Sequence, residues 1–144
     1  LVDQSNGTPK RVSVGLDQNR LALQLAILHK HSGIATFDQD VFINVVGGIK
    51  VSETASDLVV MLSIVSSLRD KVIPSKWIAF GEVGLTGEVR PVYNAQERLS
   101  EAQKQGFELA IIPKGNEPKK PIKGIQVIPV GYLYQAIQYL LENS

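Results

Sequence analysis

Few side chains in this sequence have the spacing that catalysis or metal binding requires. The two histidines, His29 and His31, lie two residues apart, so on a helix they point to different sides and cannot share a metal ion. Cysteine is absent, which excludes disulfides, iron–sulfur clusters and thiolate metal sites. Glu97 and Glu101 place like charges four residues apart on one exposed helix face. These residues predict neither a metal site nor acid–base catalysis.

Glycines are the next candidates, because glycine-rich loops bind phosphate groups. A nucleotide-binding P-loop needs G-x-x-x-x-G-K-[ST], and no segment of the sequence has this pattern. Gly47-Gly48-Ile49-Lys50 lacks the spacing, and segment 81–87 follows a strand into a hairpin, where no helix N-terminus can receive an anion. We therefore predict that these glycines form turns and that the chain itself holds no nucleotide, metal or other cofactor.

Charge and length restrict the possible partners. The chain has 144 residues, and its 15 lysines and arginines nearly balance 14 aspartates and glutamates, which leaves a formal net charge of +1. A nucleic-acid surface would therefore need local clustering of cations. No apolar run approaches the roughly 18 residues of a membrane span, and the start lacks the pattern of a signal peptide. We expect residues 1–144 to form one cytoplasmic domain without a membrane partner. Because the sequence begins at Leu1 and not at Met, we expect a processed chain or a fragment.

The elements that would position these residues alternate between short β-branched runs and longer helical patterns. This alternation predicts an α/β or α+β fold. We predict strands at 11–16, 41–46, 77–80, 88–92, 109–112 and 126–130, and helices at 20–30, 56–69, 95–105 and 133–141. The apolar run 41–46 predicts a central strand covered on both faces. Gly33 predicts a C-cap, and Asn94 followed by Glu97 predicts a capping box.

A resemblance makes the hairpin segment informative. Residues 81–92 (GEVGLTGEVRPV) are similar to the hairpin of Lon-type proteolytic domains. In that family a catalytic lysine follows in Gly-Gly-x-Lys, and the nucleophilic serine lies in Gly-Pro-Ser-Ala-Gly at a helix start. The matching positions here are Gln96 and Ala55. An amide is not basic enough to take a proton from serine, and a methyl group is no nucleophile. The resemblance therefore implies that this domain has lost the dyad and is not an enzyme.

The residues beside the nucleophile position do not replace it. Ser56 is one position further on, which on a helix turns its side chain by about 100° away from the required direction. We predict that Ser56 or Thr54 is the N-cap of the second helix.

Three blocks resemble a second, more specific family. Residues 14–21 (VGLDQNRL), 45–58 (VVGGIKVSETASDL) and 81–99 are similar, in this order, to the C-terminal domain of the bacterial RadA (Sms) family of DNA repair proteins. The likeness extends over about residues 1–141. It implies the ribosomal protein S5 domain 2-like fold, as in Lon. It also implies a four-cysteine zinc finger and a RecA-like ATPase domain outside these residues, where zinc, ATP and magnesium would bind.

The same resemblance implies a function for the whole protein. It would be a DNA-dependent ATPase that acts as a hexameric motor, moves on DNA, works with a recombinase and promotes branch migration. This domain would be a non-proteolytic scaffold that forms a ring beside its own ATPase domain and contacts DNA. Two alternatives remain open. One is a serine peptidase with a displaced dyad, drawn from Ser52 or Ser56 with Lys50 or Lys104, and the other is a pure oligomerisation module without DNA contact.

The candidate DNA-binding residues are cations in two groups. Arg20, Lys50, Arg90 and Arg98 lie within the blocks that resemble the family. A second group lies in a Pro/Lys-rich loop and comprises Lys114, Lys119, Lys120 and Lys123. No row of aromatic residues is interleaved with either group, which favours contacts to the phosphate backbone over base stacking.

Overall fold

The computed structural model describes residues 1–46 and 53–144 as a mixed α/β fold with parallel and antiparallel strands, as the sequence predicts. Its helices are α1 (Gln18–Ser32), α2 (Asp57–Leu68), α3 (Ala95–Lys104) and α4 (Leu133–Asn143). Its strands are β1 (Val2–Gln4), β2 (Arg11–Val14), β3 (Gln39–Asn44), β4 (Trp77–Ala79), β5 (Glu82–Val83), β6 (Val89–Arg90), β7 (Leu109–Pro113) and β8 (Gln126–Val130).

The first sheet has the order β1-β3-β2, with β1 antiparallel and β2 parallel to the central strand β3. Strand β1 was not predicted, because its sequence is short and polar. It forms through pairing with a distant strand, where Val2 lies opposite Val41. The central place of β3 is confirmed, but the prediction that the run 41–46 is covered on both faces is wrong. Val41 is fully buried, whereas Val46 lies beyond the end of the strand and is 84% exposed.

The second sheet, β4-β7-β8, is parallel and forms the middle layer of a sandwich. Every residue of β7 is buried. Leu109 and Ile111 belong to the main core with α1, α2 and α4, and Ala110 and Ile112 belong to a smaller core with α3. Helices on both faces explain why this strand is a continuous apolar run rather than an alternating one.

The helix boundaries agree with the sequence pattern, while two of the predicted caps lack the side-chain hydrogen bond. Gly33 adopts a left-handed conformation (φ 65°) at the C-cap of α1, as predicted. The Asn94 capping box is wrong, because Asn94 is itself left-handed (φ 58°) and its side chain makes no capping hydrogen bond. In that conformation the backbone turns sharply into α3. Ser56 occupies the N-cap position of α2, as predicted, but its side chain makes no capping hydrogen bond.

Strands β5 and β6 form the predicted hairpin, which is hydrogen-bonded on two sides to other elements of the fold. The backbone N–H of Gly81 donates to Ala55 O (2.8 Å), and the N–H of Leu58 donates to Gly81 O (3.1 Å). On the other side, the N–H of Leu133 donates to Gly87 O (2.8 Å). The hairpin is therefore hydrogen-bonded both to the start of α2 and to the start of α4.

Candidate functional site

The position matched to the Lon nucleophile is a buried methyl group. Ala55 lies in a single 3-10 turn, Thr54–Ser56, immediately before α2, and it is 4% exposed. Because this turn continues directly into α2, Ser56 adopts a helical conformation and makes no side-chain cap. Its hydroxyl instead donates to Glu53 O (2.8 Å), while the hydroxyl of Thr54 donates to Glu82 Oε2 (3.0 Å).

The position matched to the catalytic lysine is exposed. Gln96 lies in the first turn of α3, on a shallow surface depression of about 460 Å³ that is lined by residues of this helix alone. Lys104, a candidate base for the displaced dyad, lines the same depression, and Ser56 does not. In the part of the chain that the structure describes, no serine hydroxyl is hydrogen-bonded to a lysine ammonium. Lys50 and Ser52 lie outside the described residues.

Arg20 forms a partly buried ion pair with Asp57. The Asp57 side chain is 1% exposed, and the guanidinium of Arg20 approaches its carboxylate at 2.8 Å through Nε and at 2.5 Å through Nη2. Gln24 Nε2 and the backbone N–H of Val83 donate to the same carboxylate, each at 3.1 Å. Asp57 thus connects α1, the start of α2 and the hairpin. The sequence placed Arg20 and Asp57 at helix starts but carried no sign of their pairing.

Two other candidate cations also face carboxylates. Arg90 is 3.0 Å from Glu88 and 3.6 Å from Glu82, and its side chain is half exposed. Arg98 pairs with Glu53 and donates through Nε to Tyr93 O (3.0 Å).

The carboxyl group of Glu88, in the hairpin, has an unusually low pKa. A hydrogen bond from the Thr86 hydroxyl (2.7 Å), helped by one from Arg90, lowers the pKa of Glu88 to about 2, although partial desolvation opposes the shift. Glu88 therefore keeps its negative charge beside Arg90 at any physiological pH.

The structure thus places three of the four candidates in the first group, Arg20, Arg90 and Arg98, beside carboxylate partners. The fourth, Lys50, is outside the described residues. The lysines of the Pro/Lys-rich loop differ: across residues 1–46 and 53–144, each ion pair within 4.0 Å involves an arginine. Whether any of these cations contacts DNA stays a prediction.

Among the described residues, no group of three or more histidine, aspartate or glutamate side chains is placed to hold a metal ion. None of the described helices is long and apolar enough to cross a membrane.

Comparison with known proteins identifies the family to which the chain belongs. Residues 2–116 match the family model described as subunit ChlI of Mg-chelatase, and the chain therefore belongs to that family. Among curated proteins, it is 59% identical over 143 residues to the DNA repair protein RadA of Pseudomonas aeruginosa, which covers 99% of this chain and 32% of that protein. The DNA repair protein RadA of Haemophilus influenzae is 55% identical, covering 97% of this chain and 31% of the relative. That of Escherichia coli is 56% identical, covering 95% and 30%. The chain spans about a third of the length of these relatives.

Proposed function

We propose that this chain is the C-terminal, Lon-like scaffold domain of a RadA-type DNA repair protein and is not itself a peptidase. The observation that carries the proposal is the identity of 55–59% to DNA repair proteins RadA over nearly the whole chain. The resemblance of residues 14–21, 45–58 and 81–99 to this family supports an S5 domain 2-like fold, with residues 1–144 as one domain.

The proposal extends to the parts of the protein beyond these residues. There, a zinc finger and a RecA-like ATPase domain would bind zinc, ATP and magnesium. The whole protein would assemble as a hexameric ring in the cytoplasm, use ATP hydrolysis to move on DNA, and promote branch migration together with a recombinase. This domain would hold neighbouring subunits in the ring and contact the DNA backbone.

The local geometry supports the absence of proteolysis. A serine protease needs a hydroxyl whose proton passes to a nearby base. Ala55 offers a buried methyl group, and the hydroxyl of Ser56 is bonded to a backbone carbonyl of its own turn. The structural role of this turn is to hold the hairpin, through Gly81, against α2.

A domain exchange tests the repair function. The matching region of the Pseudomonas aeruginosa RadA is replaced by this chain, and survival after DNA damage is measured in cells that lack their own RadA. We expect the exchanged protein to restore survival, while a RadA truncated before this region does not. A stable, soluble exchanged protein that restores no survival would contradict the proposal. Sedimentation of the same two proteins tests ring assembly, because only the exchanged protein should form the closed oligomer.

A separate assay distinguishes the peptidase alternative. The chain is incubated with a serine-reactive fluorophosphonate and an unfolded protein substrate, with the Ser56→Ala variant as the matched control. We expect no labelling and no cleavage by either protein. Labelling that disappears in Ser56→Ala, or in a Ser52→Ala variant, would instead establish the displaced dyad.

A further inference from the structure

The loop between β7 and β8 concentrates positive charge that the rest of the chain lacks. Residues 114–123 contain four lysines and one glutamate, a net charge of +3. Because the whole chain carries +1, the other 134 residues carry a net charge of −2. The chain is thus nearly neutral only as an average, and this loop is its cationic region.

The lysines of this loop are not engaged within the fold. Lys119, Lys120 and Lys123 are exposed, and no carboxylate of the described residues lies within 4.0 Å of them. The residues left undescribed, 47–52, contain no carboxylate side chain. One acidic residue, Glu117, lies in the loop itself, where it lines a surface groove of about 450 Å³ together with Lys119 and Lys120. Arg20, Arg90 and Arg98, in contrast, each have a carboxylate partner that offsets part of their positive charge.

Both ends of this lysine segment are fixed to the body of the domain. At its start, the Asn116 side chain accepts a hydrogen bond from Val92 N (2.8 Å) and donates one to Val92 O (3.2 Å). At its end, Ile125 is 6% exposed in the smaller core, and Ile122 packs against that core. Pro118 and Pro121 restrict the backbone between these anchors. A restrained loop loses less conformational entropy on binding than a free one.

The edge of this sheet is poorly suited to binding a partner as an additional β-strand. Strand β8 lies at the edge of its sheet, but it contains Pro129, which has no N–H to donate to an added strand. A bound partner would therefore be recognised by the lysines rather than by the strand edge. Three mobile, cationic point charges within five residues suit a closely spaced row of phosphates.

We propose that Lys119, Lys120 and Lys123 form a contact of this domain with the phosphate backbone of duplex DNA. The inference rests on the proposed DNA contact and adds this loop to the candidates Arg20, Arg90 and Arg98. Backbone contacts through lysine carry no sequence preference, as a protein that moves along DNA of any sequence requires.

The test measures affinity for a duplex of arbitrary sequence against salt concentration. The first variant combines Lys119→Gln, Lys120→Gln and Lys123→Gln. The matched control combines Lys10→Gln, Lys30→Gln and Lys71→Gln, which removes the same charge from exposed lysines elsewhere. If each loop lysine neutralises one phosphate, three contacts account for a salt slope of about 2.7. Between 50 and 200 mM salt, the wild type should then lose roughly 40-fold more affinity than the loop variant, since a fourfold change raised to this slope gives that ratio.

The possible outcomes distinguish failure of the loop assignment from failure of the proposed DNA contact. Weaker binding by the loop variant, with a salt slope lower by about 2.7, together with near wild-type binding by the control, supports the inference. If both variants bind equally, the loop is not the contact, although the proposed DNA contact stands. If the wild-type chain binds no DNA even at low salt and at about 100 μM protein, the DNA contact and the inference are both wrong.

A further variant, Tyr93→Ala, tests whether the contact is made to the duplex backbone or by base stacking. Tyr93 is 89% exposed and directly follows Val92, the residue that holds Asn116, so this exposed aromatic residue is adjacent in sequence to the anchor at the start of the loop. We expect Tyr93→Ala to leave duplex and single-strand affinities unchanged. A loss of about fivefold or more for single strands alone would reveal base stacking and overturn the assignment to a duplex backbone.

Discussion

Replacing Arg20 with alanine should destabilise the domain, because the buried Asp57 carboxylate would lose its cation. Removing one partner of a buried ion pair costs about 3–5 kcal/mol. Arg20 is 28% exposed, so water can reach the vacated space, and Gln24 and the Val83 N–H remain as donors. We therefore expect a loss of about 2–4 kcal/mol in the free energy of unfolding, below the range of a fully buried pair. This loss corresponds to a fall in Tm of roughly 5–15 °C.

Urea unfolding measures this change, followed by circular dichroism and by the fluorescence of the single tryptophan. Trp77 is partly buried, and its ring lies 5.5 Å from that of Tyr139, so its emission reports on the main core. Arg69→Ala, an exposed arginine at the end of α2, is the matched control and should change stability by less than about 0.5 kcal/mol. The double variant Arg20→Ala/Asp57→Ala should lose about 1–3 kcal/mol less than the sum of its single variants.

A result within about 0.5 kcal/mol of wild type for Arg20→Ala would refute this reasoning. Arg20 would then be available for other contacts, including DNA. The stability measurement therefore has to precede any DNA-binding experiment on this residue, since a variant that unfolds also loses affinity.

Three further predictions concern the hairpin and the cationic loop. Gly81→Ala should destabilise the fold by about 1–3 kcal/mol in urea unfolding, because the added Cβ would lie 2.9 Å from Val89 Cγ1; an unchanged midpoint would show that the backbone relaxes there. Lowering the pH from about 4.5 to about 2 should reduce stability as Glu88, whose pKa the hydrogen bond from Thr86 depresses to about 2, becomes protonated. Glu88→Gln should flatten the pH dependence in that window, and an equally steep loss would assign it to other carboxylates. Asn116→Ala should cost about 1–2 kcal/mol and accelerate amide exchange in the loop; unchanged exchange would mean that the loop is held elsewhere.

The sequence predicted the elements whose hydrophobic pattern is local. The inward positions of α2, Leu58, Leu62 and Val65, are buried as the 3.6-residue spacing indicates. The boundaries of β8 also agree. Strand β1 was missed because its stability comes from pairing with a strand more than 30 residues away, and a three-residue polar segment has no periodicity of its own.

The candidate site was harder to predict than the fold, because pairing of charges is a tertiary property. Arg20 and Asp57 are 37 residues apart, and each taken alone has the pattern of a solvent-exposed charge at a helix start. The caps failed for a related reason. Ser56 is the N-cap residue of α2, but it continues the preceding 3-10 turn in a helical conformation, and its hydroxyl therefore donates to Glu53 O instead of accepting from a helix N–H.

The chemistry of the two cationic residue types explains how the chain can be nearly neutral and still present a cationic surface. Four of its five arginines, Arg11, Arg20, Arg90 and Arg98, donate side-chain hydrogen bonds to other described residues. None of the described lysine ammonium groups forms an ion pair within 4.0 Å. The planar guanidinium suits fixed, forked pairing with a carboxylate, whereas the ammonium on its flexible stem remains hydrated and able to move. Arginine therefore joins elements within this fold, and lysine supplies the charge that is available to a polyanionic partner.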